Sequence, residues 1–560
     1  MSNNQNNLSG TEKIKMASDG LRGSLKESLH DELTGALRED DQALVKFHGM
    51  YQQDDRDRRE ERSAKKLEWL YSYMIRLRLP GGFMTPEQWI GLHNIAGEHT
   101  TGVIKITTRQ TIQLHGILKS HVKPTIKAFN TVHLDSISAC GDVNRNVICA
   151  AHPKFSAAHE QVFEYASKIS VMGLPKTKAY YEIWLDEKPL LENKEEIEKD
   201  PLYQDRYLPR KFKVAIAIPP NNDVDVFAND LGLIAIIEND KLVGFNMAAG
   251  GGLGATHGNA ATYPRLGSML GFVEAGEKAL KAIYEVITIQ RDYGNRSDRK
   301  LSRLKYTIDK MGVEAFKQEL EKRCGFALEP ERPYKFTHRV DDYGWHKNHE
   351  GKWYFTVFVE NGRVLDDEKI ALKTALLEVA KTGKANFRFT CNQNVIVGDI
   401  AQKDKKEVEK ILKQFGVIEH TEKAGALRKS SIACVAFNTC PLALAEAQRY
   451  LPTLIDKIEP MLAKYNLQND DISLRMTGCP NGCGRPYAAE IGFIGTAYGH
   501  YNLHIGGDRE GTRLNKKYRE SLDEPAILKE LDELFEKYSK NRQKGETFGD
   551  YAIREKLVTI

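Results

Sequence analysis

Two short stretches hold residues whose types and spacing could do chemistry. SIACVAFNTCPLALAEA (431–447) carries Cys434 and Cys440 as C-x5-C, and TGCPNGCGRP (477–486) carries Cys479 and Cys483 as C-x3-C. Zinc sites are usually built from closer Cys pairs on both sides, so the first spacing fits zinc poorly. A thioredoxin-type dithiol needs C-x-x-C, which neither pair has. Four thiolates from two loops are what a cubane [4Fe–4S] cluster requires, with zinc and purely structural thiols as the alternatives. Gly478, Gly482 and Gly484 allow close backbone approach and leave N–H groups free to donate to sulfur. Pro441, directly after Cys440, opens what reads as a helix whose positive end would face an anionic cluster.

A second group of residues is cationic. Arg76 stands in RLRLPGG, Arg109 in TTRQT, Arg145 in DVNRNV, and Arg210, Lys211 and Lys213 in LPRKFK; Arg303 lies in RDYGNRSDRKLSRLK (291–305). Any one of these is by default a solvated surface charge. Their placement at the ends of predicted strands suits a cavity for an anionic substrate and a polycarboxylate cofactor. Cys140, Cys149 and Cys324 read as packing residues, Cys140 close in sequence to Arg145.

The elements that must position these groups repeat. KITTRQTIQLHGI (105–117) matches RFTCNQNVIVGDI (388–400), and a strand and a helix precede each copy. NVICAAHP (146–153) parallels SIACVAFN (431–438), an alignment that sets Cys149 opposite Cys434. LVGFNMAAGGGLG (242–254) likewise parallels YNLHIGGDREG (501–511). The chain therefore reads as a duplicated module: two β–α–β halves, each followed by a larger α/β lobe. The first lobe has VAIAIPPNNDVDV (214–226) where the second has its cysteine loop, so metal chemistry belongs to one copy.

C-x5-C followed by TGCPNGCGR resembles the signature of the siroheme-containing sulfite and nitrite reductases, and the duplicated layout matches over about 71–550. FHGMYQQDDRD, RLRLPGG, NRNV, LPRKFK and YNLHIGGDREGTR bring it nearest the assimilatory, NADPH-dependent branch. The resemblance implies that Cys434, Cys440, Cys479 and Cys483 bind a [4Fe–4S] cluster and that Cys483 bridges it to siroheme iron. It implies that Arg76, Arg145, Lys211 and Lys213 form the anion pocket. Arg109, Arg210 and Arg303 would contact cofactor carboxylates, and Asn481 would help orient the cofactor. The implied reaction is the six-electron reduction of sulfite to sulfide by a hemoprotein subunit. Nitrite reduction on the same fold is the nearest alternative, and a non-catalytic iron–sulfur regulator a more distant one. No G-x-G-x-x-G loop is visible (GGGLG, 250–254, reads as a cofactor-facing turn), so electrons would come from a diflavin reductase partner subunit.

The expected fold is mixed α+β with pseudo-twofold duplication, the two ferredoxin-like halves pairing into one domain with two cofactor-binding lobes. The expected boundaries are a charged, partly disordered docking arm at 1–70, a first half at 71–135, a first lobe at 136–345 with siroheme and the anion pocket, a second half at 346–420, and a second lobe at 421–560 with the cluster. The 560 residues carry 81 basic against 77 acidic side chains, too balanced for a nucleic-acid binder. No apolar run is long enough to span a membrane, and no apolar signal core opens the chain, so the expected location is the cytoplasm.

Overall fold

The computed structural model describes residues 7–152, 157–177, 184–185, 188–189 and 200–559. Each half is built as its pattern predicts. Tyr71–Arg76 leads to the helix Pro86–His99 and then to the hairpin of Ile104–Ile106 and Ile112–Ile117. The helix starts where TPEQ places a capping box: Thr85 and Gln88 exchange hydrogen bonds between side chain and backbone, with Pro86 at the first helical position. The second half repeats this with Trp353–Val357, the helix Leu372–Lys381, Asn386–Phe389 and Val395–Ile400.

The halves do not merely pair; each lends the other a strand. Phe83–Met84 of the first joins Asn386–Phe389 of the second, and Arg363–Val364 of the second joins Ile104–Ile106 of the first. Two buried glutamines lock the exchange. Gln110 Nε2 donates to Phe389 O at 3.1 Å, and its counterpart Gln393 donates to Ile106 O at 3.2 Å. Trp89, wholly buried, stacks on Phe387 across the junction at 4.6 Å.

The lobes carry five-stranded sheets of matching order. In the first, Val214–Ala217 lies between Ile148–Cys149 and Leu231–Glu238; in the second, Leu474–Thr477 lies between Ile432–Ala433 and Ile491–Ala497. Val214 pairs with Leu231 as Leu474 pairs with Ile491, so the loops that follow correspond position by position. This register corrects one expected match. Cys149 pairs with Ile216 as Ala433 pairs with Met476, so Cys149 stands opposite Ala433. The counterpart of Cys434 is Ala150: their N–H groups donate to Met476 O and Ile216 O at 3.2 and 2.9 Å.

The amino-terminal segment also differs from the disordered arm expected for 1–70. From residue 7 onward it is packed. Leu21, Leu44 and Phe47 are buried in the main core, and Met50–Asp54 adds an antiparallel edge strand to Tyr71–Arg76. Its charges misled because they are paired: Lys15 is buried between Glu12 Oε1 at 2.5 Å, Leu208 O at 2.8 Å and Asp142 at 3.6 Å. Residues 1–6 lie outside the described residues.

At the seam between the lobes, Asp225 meets three guanidinium groups: Arg475 at 2.5 Å, Arg485 at 2.7 Å and Arg339 at 3.3 Å. Burial works against this carboxylate, but Arg475, Arg485 and Arg339 hold its pKa far below the usual range. Removing one partner of a buried ion cluster leaves uncompensated charge and costs about 3–5 kcal/mol. Asp225→Ala should therefore lower the unfolding free energy by an amount on that scale, measured by denaturant titration followed by intrinsic fluorescence.

Candidate functional site

The cysteines sit on two loops at one end of the second lobe's sheet. Cys434 follows the strand Ile432–Ala433, while Cys479 and Cys483 lie between Leu474–Thr477 and the turn Pro486–Ala488. The loops pass so closely that a Cβ at Gly478 would meet Ala445 O at 2.6 Å, and one at Gly484 would meet Met476 O at 2.4 Å. That closeness is what the glycines in the motif provide. Donors already face sulfur: Gly478 N–H and the Thr477 hydroxyl approach Cys434 Sγ at 3.3 and 3.4 Å, and Asn481 Nδ2 approaches Cys479 Sγ at 3.4 Å. Asn481 also lines the cavity described below, so its amide serves a cysteine at the cavity wall. The helix expected after Pro441 is absent. Residues 441–450 form turns, held by Leu444 and Ala445 N–H groups on Gly478 O, and the helix begins only at Leu451. No helix dipole faces these thiols.

Among the described residues, no three of these thiols have sulfurs within 4.8 Å of one another. A single tetrahedral zinc, with Zn–S near 2.3 Å, would draw them closer, whereas a cluster spaces its ligands more widely. Burial first, and then the neighbouring Cys483, push the thiols of Cys434 and Cys479 up and that of Cys440 up to about 11. Thiolates here therefore need cationic metal to bind, and the iron–sulfur core is cationic until four thiolates make the whole cluster anionic. Cys483 differs from the other three in being exposed.

Cys483 opens onto a cavity of about 390 Å³ between the lobes, lined by Thr108, Arg109, Arg210, Lys211, Lys213, Arg299, Lys300, Arg303 and Arg485 as well as Leu253 and Gly254 of GGGLG. The first half delivers Arg109 on its tight turn. Arg109 bonds Asn229 Oδ1, Asn146 O and Val214 O at 2.7, 2.6 and 3.2 Å, and its buried Nε is left without a partner. LPRKFK delivers Arg210, Lys211 and Lys213. Burial and Arg299 bring Arg210 down to about 10; burial and Arg109 bring Lys213 down to about 7; burial and Arg210 lower Lys211 well below its usual value. Among the described residues, no protein acceptor bonds the Arg210, Lys211 or Lys213 side chains, while an excess of cations surrounds them. Such a wall fits a ligand that brings several carboxylates of its own, as siroheme does.

Arg76 and Arg145 adjoin this wall. Both donate to Ala139 O, at 3.4 and 3.3 Å, and Arg76 also reaches Cys140 Sγ at 3.2 Å. Burial opposes the charge on Arg76, but Cys140, Tyr51 and Cys483 raise its pKa. Arg303 is less available than its sequence position suggests, since it forms a forked pair with Asp230 at 2.9 and 2.7 Å. Sequence reasoning passed over Thr108, Arg299, Lys300 and Arg485. Thr108 donates to Cys483 O at 3.1 Å, and Arg485 was legible as the residue closing TGCPNGCGR.

The second lobe contains the counterpart of this cavity, nearly filled. Asn392, Ile432, Asp471 and Ser473 stand where the first lobe's side has Arg109, Ile148, Lys211 and Lys213, and Arg339 enters the space, leaving about 10 Å³. That volume holds about one water.

The apparent pKa of Lys213 carries a stability consequence. Its folded value near 7 lies below the ordinary 10.5, so folding the cofactor-free chain with a charged Lys213 is costly below pH 7. That cost fades as pH rises through 7 toward 10.5. The cofactor-free chain should gain thermal stability between pH 7 and pH 9 in scanning calorimetry, and Lys213→Met should flatten part of the rise.

The chain is similar to known proteins over nearly its whole length. The family model described as "Nitrite/Sulfite reductase ferredoxin-like half domain" matches residues 70–132 and 346–415. The model described as "Nitrite and sulphite reductase 4Fe-4S domain" matches 164–328, which is the first lobe, the copy without the four cysteines. The "Sulfite reductase [NADPH] hemoprotein beta-component" of Leptospira biflexa serovar Patoc is 65% identical over 543 residues, covering 97% of each chain. The protein of the same name from Bacillus subtilis is 50% identical over 550 residues, covering 98% of this chain and 96% of its own. The solved structure of the Mycobacterium tuberculosis NirA protein shares the fold, with a TM-score of 0.78 at 23% identity over 98% of this chain and 97% of that one.

Proposed function

The chain belongs to the nitrite and sulphite reductase family, and from that premise we propose that it is the hemoprotein subunit of an assimilatory sulfite reductase that takes sulfite to sulfide by six electrons. One observation carries this: the single exposed cysteine of the set of four opens onto a cavity where, among the described residues, the side chains of Arg210, Lys211 and Lys213 have no protein acceptor. Cys434, Cys440, Cys479 and Cys483 would hold the [4Fe–4S] cluster, and Cys483, at the cavity wall, would also serve siroheme. Arg109, Arg210 and Lys300 would receive the cofactor carboxylates, with Arg303, Arg299 and Arg485 held in place around them by Asp230, Asp142 and Asp225. When bound, siroheme and its cluster supply the coordination site and the stored electrons.

The chain's own residues do the rest. Arg76 and Arg145, fixed through Ala139 O, orient the substrate oxygens with forked N–H donors. Burial lowers the pKa of Lys211 and brings that of Lys213 down to about 7, which eases proton transfer from their ammonium groups to a departing oxygen. These preset cations stabilise the charge that develops on those oxygens without reorganising.

Electrons come, in this reading, from a flavoprotein subunit. The beta-component name of the relatives supports a complementary partner, and no helix of the described residues is long and apolar enough to cross a membrane. The cytoplasm is the location that suits clustered thiols.

The double variant Lys211→Met with Lys213→Met should keep its siroheme absorption and iron content yet lose sulfite turnover by about 10²-fold or more with a chemical reductant. Full turnover in that variant would sink the lysine roles, and faster wild-type turnover of nitrite than of sulfite would sink the substrate.

A further inference from the structure

The first lobe lacks the four cysteines, yet it holds a second cluster of ligand-type side chains. His152, Asp223 and Asp341 are all buried, and they present ligand atoms within 4.8 Å of one another. The three come from separate parts of the chain. His152 follows the edge strand Ile148–Cys149, Asp223 lies in the loop after Val214–Ala217, and Asp341 lies in the connector to the second half. By register, Asp223 is the counterpart of Cys483.

Among the described residues, two atoms in this cluster have no partner. His152 Nδ1 and Asp223 Oδ1 are buried without a hydrogen bond, although the other atoms of the site are well served. His152 Nε2 lies 3.3 Å from Asp341 Oδ1. Asp341 in turn accepts from Thr390 Oγ1 at 2.6 Å, Asn394 Nδ2 at 2.7 Å and Asn392 Nδ2 at 3.0 Å. His152 Nε2 and Asp341 Oδ1 are spaced as two ligands of one ion would be, and the unpartnered Asp223 Oδ1 supplies a third donor. We propose that His152, Asp223 and Asp341 bind one divalent metal ion of the zinc class, separate from any cluster or haem iron.

Charge and setting agree with this. Two carboxylates and an imidazole match a divalent cation, and burial pushes the Asp223 carboxyl up to about 6 although His152 and Arg485 pull it down. Arg485 reaches only the backbone carbonyl of Asp223, at 3.5 Å, and pairs instead with Asp225 at 2.7 Å. Imidazole nitrogen with carboxylate oxygen favours zinc or manganese over calcium. The ion would tie the connector to the first lobe, where Asn221 and Asn222 already bond Val340 O and His338 O. The proposal does not rest on the sulfite reading and survives its failure.

The test uses iron-loaded, siroheme-containing protein dialysed to equilibrium against Zn²⁺, with metals counted by plasma mass spectrometry. The wild type should retain about one zinc per chain beyond its iron. Asp223→Asn, which keeps the side-chain volume, and His152→Gln should each cut that zinc at least fivefold, with siroheme absorption and iron unchanged. Wild-type protein without retained zinc overturns the proposal, as does undiminished zinc in Asp223→Asn. Should His152→Gln lose siroheme through misfolding, Asp223→Asn alone decides.

Discussion

Asp225 and Arg485 occupy the same position in two copies of one loop, with opposite charge, and they pair at 2.7 Å where the copies meet. Both take left-handed backbone angles, φ 46° and 58°, which non-glycine residues adopt sparingly. Each stands at the start of a short turn, Val226–Ala228 in one lobe and Pro486–Ala488 in the other. The pair therefore fixes the relative placement of both loops, and through Cys483 and Asp223 it fixes the chemistry each can present. Arg475 and Arg339 add further positive charge around a single carboxylate. The centre of the molecule is thus biased toward anions before any ligand arrives.

From that shared frame the two sides diverge by substitution at equivalent positions. Where one side has Lys211, Lys213 and Arg109, the other has Asp471, Ser473 and Asn392. One cavity keeps about 390 Å³; in its mate, the connector brings in Arg339 and leaves about 10 Å³. A duplicated module has been specialised by filling one of its two symmetric spaces rather than by changing its sheets. The family match to the cysteine-free lobe reflects the same history, since sheet pattern is shared while ligands are not.

The cysteine site was legible because its information is local. C-x5-C, C-x3-C and the intervening glycines specify two tight loops, and the loops meet as those spacings require. The repeat was legible because strand periodicity survives substitution, but its register was not: Cys149 fell one position from its true counterpart, since a two-residue strand offers too few side chains to set alignment. Partner choice was hidden. Nothing beside Arg303 announces Asp230, and nothing in the charged opening announces that Lys15 and Glu12 are buried against Asp142 and Arg296. Long-range ion pairs leave no local pattern, so a cation's role stays ambiguous until its acceptor is known.

The lent strands have a consequence for how such a chain comes into being. During synthesis the first half emerges with Phe83–Met84 unpaired and with Ile104–Ile106 as an open edge, because Asn386–Phe389 and Arg363–Val364 have not yet been made. An exposed edge is a template for wrong pairing, and closing so large a loop is slow. The nascent protein must wait, sheltered, until most of its length exists. A chain cut before Arg363–Val364 lacks the strands that close the sheet edges of its first half.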